Sequence, residues 1–175
     1  MILVLTGPVH SGKTTFLRRL LPELRGLGVC VCGYLSPAVG ADWDVLGYDL
    51  FDIRAGGALP FLRTAGEAGW QRVGPYFLLP GGLKAAQASI LSREPGELLI
   101  VDEVGPLELS GRGVWPALSR AIDRPSFAGL LVVRKPLLND LRDCLPRPPL
   151  EVFSIETEGV RTALITSLLE KVKTE

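Results

Sequence analysis

An α/β fold, with a mostly parallel sheet and helices on both faces, follows from three features of this 175-residue sequence. Short, continuously apolar runs recur along the chain, as in strands with both faces buried. Between them lie segments whose apolar residues fall at helical spacing. A glycine-rich turn joins the first apolar run to the first helical segment. Strands alternating with helices need crossover connections, which are right-handed and give parallel neighbours.

Met1 to Thr6 reads as the first buried strand and Gly7 to Gly12 as a loop. From Lys13 to about Leu27, Phe16, Leu17, Leu20, Leu21 and Leu24 share one helical face, with Arg18, Arg19, Glu23 and Arg25 between them. Pro22 is expected to kink or shorten that helix, and Gly26 and Gly28 to close it. Val29 to Leu35 is a second apolar strand, and Val45 to Ile53 alternates partly before a turn at Gly56-Gly57. Val73 to Leu79 is a short aromatic strand or loop. Helices follow at Leu83 to Arg93, Val114 to Ile122, Leu137 to Cys144 and Val160 to Val172. Strands are expected at Glu97 to Val101, Phe127 to Val133 and Glu151 to Ile155.

Length sets one domain over residues 1–175 as the expectation, with an elaboration at 37–80, where Gly, Pro and aromatics are denser. Hydrophobic content of 47% against 22% charged residues excludes a disordered chain. Nineteen basic and 19 acidic residues cancel, which argues against a broad nucleic-acid-binding face. No apolar window reaches the ~18 residues of a membrane span. The apolar start is too short for a signal peptide, so a soluble cytoplasmic protein is expected. Three cysteines make no disulfide framework, and Cys30 and Cys32 read as buried strand packing.

The strongest local signal is Gly7-Pro8-Val9-His10-Ser11-Gly12-Lys13-Thr14, a G-x-x-x-x-G-K-[ST] run between a buried strand and an amphipathic helix. Gly7 permits a sharp turn, and Gly12 has no Cβ to obstruct an anion. Successive main-chain N–H groups at the positive end of a helix make a phosphate cradle. Lys13 is then expected on the β- and γ-phosphates, the Thr14 hydroxyl on Mg²⁺ and Thr15 on the α-phosphate. With Pro8, Val9, His10 and Ser11, these residues form the candidate nucleotide-binding loop.

Leu98 to Val101 deliver Asp102 and Glu103 to the carboxyl edge of the sheet, where open α/β sheets bind ligands. Asp102 is the candidate second metal ligand, acting through a coordinated water. Glu103 is the candidate general base that polarises an attacking water. Arg134, at the end of the fourth buried strand, either emerges near the γ-phosphate as a catalytic cation or solvates a strand end. Trp43, Trp70, Trp115, Tyr34, Tyr48 and Tyr76 are aromatic candidates for stacking on a base, although packing is the commoner use.

These residues carry a resemblance to the nucleoside-triphosphatase family first described from thermophiles, which includes a vertebrate cancer-related member. The matching stretches are Gly7 to Thr15, Gly33-Tyr34-Leu35-Ser36, Gly47-Tyr48-Asp49-Leu50, Val73-Gly74-Pro75-Tyr76 and Val101 to Leu109, in order along most of the chain. The resemblance implies a P-loop NTPase fold with a RecA/AAA-like arrangement, an extra strand lying between the loop strand and the acid strand. It also implies Mg²⁺-dependent removal of the terminal phosphate from ATP, GTP, CTP or UTP with little base preference. Glu108 belongs to the family motif and is expected to hold the loop after Glu103. This chain departs from the family in having His10 where a glycine is usual, and Pro37, Ala38, Val39 and Gly40 where a Glu and an Arg are usual.

The expected activity is NTP + H₂O → NDP + phosphate, by a monomer in preference to an oligomer. Two alternatives stand beside it. One is a P-loop nucleoside or small-molecule kinase, which would need a second substrate pocket in the 37–80 segment and usually has an arginine-rich lid, whereas Arg54, Arg63 and Arg72 are scattered there without clustering. The other is a nucleotide-gated binding module with slow hydrolysis.

Overall fold

The computed structural model describes residues 1–41, 44–145 and 150–172. The strands are β1 (Ile2–Gly7), β2 (Val31–Leu35), β3 (Ala38–Ala41), β4 (Asp44–Asp52), β5 (Ala58–Arg63), β6 (Gln71–Val73), β7 (Tyr76–Leu78), β8 (Leu98–Asp102), β9 (Ala128–Arg134) and β10 (Leu150–Ser154). The helices are α1 (Lys13–Gly26), α2 (Pro80–Leu91), α3 (Pro106–Leu109), α4 (Trp115–Ile122), α5 (Leu138–Cys144) and α6 (Val160–Val172).

All these strands join one mixed sheet in the order β10-β1-β9-β8-β2-β4-β5-β7-β6, with β3 paired to β4. From β10 to β2 every pairing is parallel. β1 and β8 are buried along their whole length, and β9 along all but its last residue, Arg134. That burial on both faces is why these strands read as unbroken apolar runs. From β2 outward the pairings turn antiparallel, and residues 38–78 supply this extension.

Alternate residues of the parallel strands feed two cores. Leu3, Leu5, Ile100, Leu130 and Val132 pack with Leu17, Leu20 and Leu24 of α1 and with Leu164 and Leu168 of α6. Val4, Leu99, Val101, Leu131 and Val133 pack with Ala86 and Ile90 of α2, with α4 and with Leu141 of α5. Each fully buried leucine is worth about 1.5–3 kcal/mol of transfer free energy, so the α1 face is strongly held. This explains why α1 runs on past Pro22 to Gly26 rather than ending there. One lost N–H bond is outweighed by Leu20, Leu21 and Leu24, all buried around it.

Other expectations shift. α2 begins three residues earlier than its apolar spacing suggests, because Pro80 at its first turn has a preset helical φ. The aromatic segment is a hairpin, β6–β7, that closes the antiparallel end. Cys32 is buried in β2 as expected, and burial pushes its thiol up to about 12. Cys30 precedes the strand and is exposed, so the pair is not packed together.

Gly33 shows how tightly β2 meets β8. Its φ is +97°, and a Cβ there would stand 2.1 Å from the carbonyl oxygen of Ile100. Ser89 of α2 donates to the Gly33 carbonyl at 3.0 Å. Gly33→Ala therefore combines left-handed strain with a backbone clash, and is expected to cost about 3 kcal/mol. A lower urea midpoint with unchanged m would register it, and an unchanged midpoint would refute it.

Candidate active site

Strand register brings the two halves of the site together. Gly7, the last residue of β1, pairs with Arg134, the last of β9. Asp102, the last of β8, pairs with Val132 on the other side of β9. By alternation, Asp102 and Arg134 continue the sheet face occupied by Ile100 and Val132, which is the face that carries α1. The loop at the start of α1 thus lies over both.

Within the loop, Gly12 takes a left-handed conformation, φ +81°, just before α1. No side chain caps the first turn of α1 and no acid lies in it, which leaves its N–H groups to the loop's concave side. Close packing also favours glycine at position 7. Its φ is not positive, but a Cβ would meet the Ile155 side chain at 2.5 Å. His10 is exposed in the loop with φ +60°, an uncommon conformation for a residue other than glycine.

The Lys13 side chain is buried and curls along the loop. Its ammonium donates to the Pro8 carbonyl at 2.5 Å and to the Gly7 carbonyl and Ser11 Oγ at 3.3 Å. Loss of water lowers its pKa and nearby Arg134 adds to this, while Glu103 and Asp102 oppose it. Asp102 is buried and pushed up to about 6, first by that burial. A main-chain bond from Ser36 N–H at 3.1 Å and the nearby Thr14 hydroxyl pull the other way. Ser36 Oγ also donates to the Asp102 carbonyl at 2.5 Å. Glu103 accepts from Arg134 Nε at 2.5 Å, and both side chains remain well exposed.

One cleft of about 590 Å³ is lined by Val9 to Thr15, Ser36, Asp102, Glu103 and Arg134. Sequence reasoning gave no role to Ser36, Arg18 or the Pro37–Ala38 and Val45 surfaces that share it. Ser36 lies 66 residues from Asp102, and only the β2–β8 pairing discloses its contact. Of the aromatic candidates, Tyr48 lines the cleft, braced edge-on by Tyr76 at 5.4 Å. Tyr34 is in the core, Trp115 packs against it and Trp70 lines a separate apolar groove. Trp43 lies outside the described residues. The arginines considered for a lid are engaged elsewhere. Arg54 pairs with Glu97, Arg63 with Asp49 at 2.5 Å, and Arg72 lies 5.0 Å from the centre of the Phe77 ring.

Thr14 and Asp102 fit a magnesium ion by donor chemistry. They are a hydroxyl and a buried carboxylate that line the same cleft, both hard oxygen donors. Among the described residues no group of three or more His, Cys, Asp or Glu could hold a metal on its own. A site of this kind takes its remaining oxygens from phosphate and water.

Strand order, anion loop and acid pair define a P-loop NTPase fold in which β9 separates the loop strand from the acid strand. The chain matches the family model described as NTPase over residues 2–169, and it belongs to that family. It is 32% identical over 173 residues to the nucleoside-triphosphatase THEP1 of Methanopyrus kandleri, covering 97% of this chain and 93% of that one. Identity to the THEP1 protein of Hyperthermus butylicus is 31% over 171 residues, with coverage of 97% and 90%. The fold is shared with a human cancer-related nucleoside triphosphatase at a TM-score of 0.74 and 24% identity, covering 99% of this chain and 97% of that one. THEP1 from Aquifex aeolicus shares it at 0.66 and 18%, covering 98% and 99%.

Proposed function

We propose that this nucleoside-triphosphatase hydrolyses the terminal phosphate of nucleoside triphosphates with Mg²⁺ and little preference for the base. The observation that carries the reading is that Lys13 and Thr14 of the phosphate loop line the same cleft as Asp102 and Glu103 of the acid pair. That cleft brings together the two segments that hydrolysis requires.

The main-chain N–H groups from Val9 to Thr15 bind the polyphosphate, with Thr15 on the α-phosphate side. Lys13 exchanges its loop carbonyls for β- and γ-oxygens. Thr14 and Asp102 would hold the magnesium ion, which when bound would neutralise phosphate charge. Glu103 orients a water in line with the γ-phosphorus and takes its proton as the P–O bond to the leaving NDP breaks. Arg134 turns from Glu103 toward the equatorial oxygens and takes up their charge. Weak base preference is supported by the cleft lining, which holds no Asn or Gln among the described residues. Engagement of Arg54, Arg63 and Arg72 with other partners favours water over a kinase acceptor.

A cytoplasmic setting agrees with three free cysteines, and no described helix is long and apolar enough to cross a membrane. Phosphate release from ATP, GTP, CTP and UTP is the test. Rates within about tenfold of one another, a spread of ~1.4 kcal/mol, and loss of all four on chelation are expected. No release from any of them, or transfer of the label to an acceptor other than water, would overturn the reading.

A further inference from the structure

We propose that Glu108 is a positioning residue that sets the Glu103 carboxylate through the main chain of Gly105. The proposal rests on the reading of Glu103 as the base. Glu108 lies in α3, and its carboxylate is turned back toward β8 and not out to solvent. Oε2 accepts from Gly105 N–H at 3.0 Å and Oε1 from Val114 N–H at 3.5 Å. No Lys or Arg pairs with it among the described residues. Burial raises its pKa, and main-chain N–H donors oppose that rise. A buried carboxylate without a cation is costly, and here main-chain N–H groups on both sides of α3 hold it.

The other neighbour of Gly105 is the catalytic side chain. A Cβ at Gly105 would stand 3.5 Å from Glu108 Oε2 and 4.0 Å from Glu103 Oε1. The two acids therefore flank one bare glycine. Residue 103 is fixed from behind by the β8–β9 ladder and by Val104 N–H donating to the Val132 carbonyl at 2.7 Å. From in front, its peptide geometry depends on the Gly105–Glu108 bond. Space for the Glu108 carboxylate exists because Gly113 has no side chain, as a Cβ there would come within 2.2 Å of Oε1.

The test compares Glu108→Ala and Glu108→Gln, each alone and combined with Glu103→Gln. It measures single-turnover phosphate release from Mg-ATP and the Kd of a non-hydrolysable Mg-ATP analogue. Misplacing a catalytic group by an ångström costs on the order of 10²-fold, so Glu108→Ala should lower kcat by about 30- to 100-fold and change Kd by less than about threefold. Glu108→Gln keeps one oxygen for Gly105 and should recover most of the loss. In the Glu103→Gln background, where the positioned base is gone, Glu108→Ala should cost less than about twofold more. The same loss factor in both backgrounds, or a Kd that weakens in step with kcat, would overturn the proposal. If Glu108→Ala does not fold, Glu108→Asp, one methylene too short to reach Gly105 N–H, is put through the same comparison in both backgrounds. Full turnover by Glu103→Gln alone would instead remove the base reading, and this proposal with it.

Discussion

Glu103→Gln is expected to bind Mg-nucleotide about as well as the parent protein and to hydrolyse it some 10²- to 10⁴-fold more slowly, the range a positioned general base contributes. Glutamine keeps the length of the side chain and a carbonyl oxygen for the Arg134 guanidinium, which now reaches the carboxylate at 2.5 Å. What it loses is the capacity to take a proton. The sign of the binding effect follows from charge. Glu103 sits on the wall of the cleft beside Lys13 and Asp102, where it repels a γ-phosphate. Removing its charge should leave affinity unchanged or slightly tighter, within about threefold. Calorimetric titration with a non-hydrolysable analogue, alongside single-turnover phosphate release, separates the two quantities. Parent-like turnover would strip Glu103 of its role, and a large loss of affinity would make it a binding group. Arg134→Ala is expected to behave differently, since the proposed role of Arg134 is to meet the transferred phosphate as well as Glu103.

The parallel half of the fold was legible because burial on both faces leaves a strand little choice but Leu, Ile and Val, as in β1, β8 and β9. The phosphate loop was legible because binding an anion with main-chain N–H groups requires a fixed spacing of glycines. The antiparallel extension was harder to read. Pro60 lies inside β5, opposite Asp49, and proline in a run argues against a strand. β3 is Ala-Val-Gly-Ala, with no large alternating side chains to mark a face. β6 and β7 are three residues each, and α3 is four. Those pieces are fixed by their neighbours and not by their own composition. The site divided the same way. Lys13, Thr14, Asp102 and Glu103 announce themselves by type and spacing, whereas Ser36 and Tyr48 reach the cleft only through the β2–β8 and β2–β4 pairings. Arg134 reads in the sequence either as a catalytic cation or as a strand-end charge, and only the fold shows that it lies opposite Gly7 and that its side chain pairs with Glu103.

Lys13→Ala should weaken Mg-nucleotide binding and slow turnover together, while leaving the free protein almost as stable as before. In the free protein the ammonium makes three bonds, to Gly7, Pro8 and Ser11, and these favour the folded state. Against them stands the cost of holding the charge away from water, which also lowers its pKa. The two oppose each other, so the net change in unfolding free energy should stay within about 1 kcal/mol. The balance differs once a triphosphate is bound. A charge-assisted bond to phosphate is worth about 1.5–3 kcal/mol, and in the transition state the ammonium also meets charge building on the β–γ bridge. Affinity should fall by about 10- to 100-fold and kcat by a comparable or larger factor. Thermal denaturation reads both predictions at once. A ligand at 100 times its Kd stabilises by about 2.7 kcal/mol, so for a 10- to 100-fold weaker variant at the same concentration the stabilisation should fall to about 1.4–0.4 kcal/mol, with the Tm shift shrinking in proportion. The Tm without nucleotide should hardly move. Lys13→Arg does not rescue the function, because a planar guanidinium cannot replace a compact ammonium among the Gly7 and Pro8 carbonyls and Ser11 Oγ. A variant whose nucleotide-dependent Tm shift equals the parent's would show that the polyphosphate is held elsewhere.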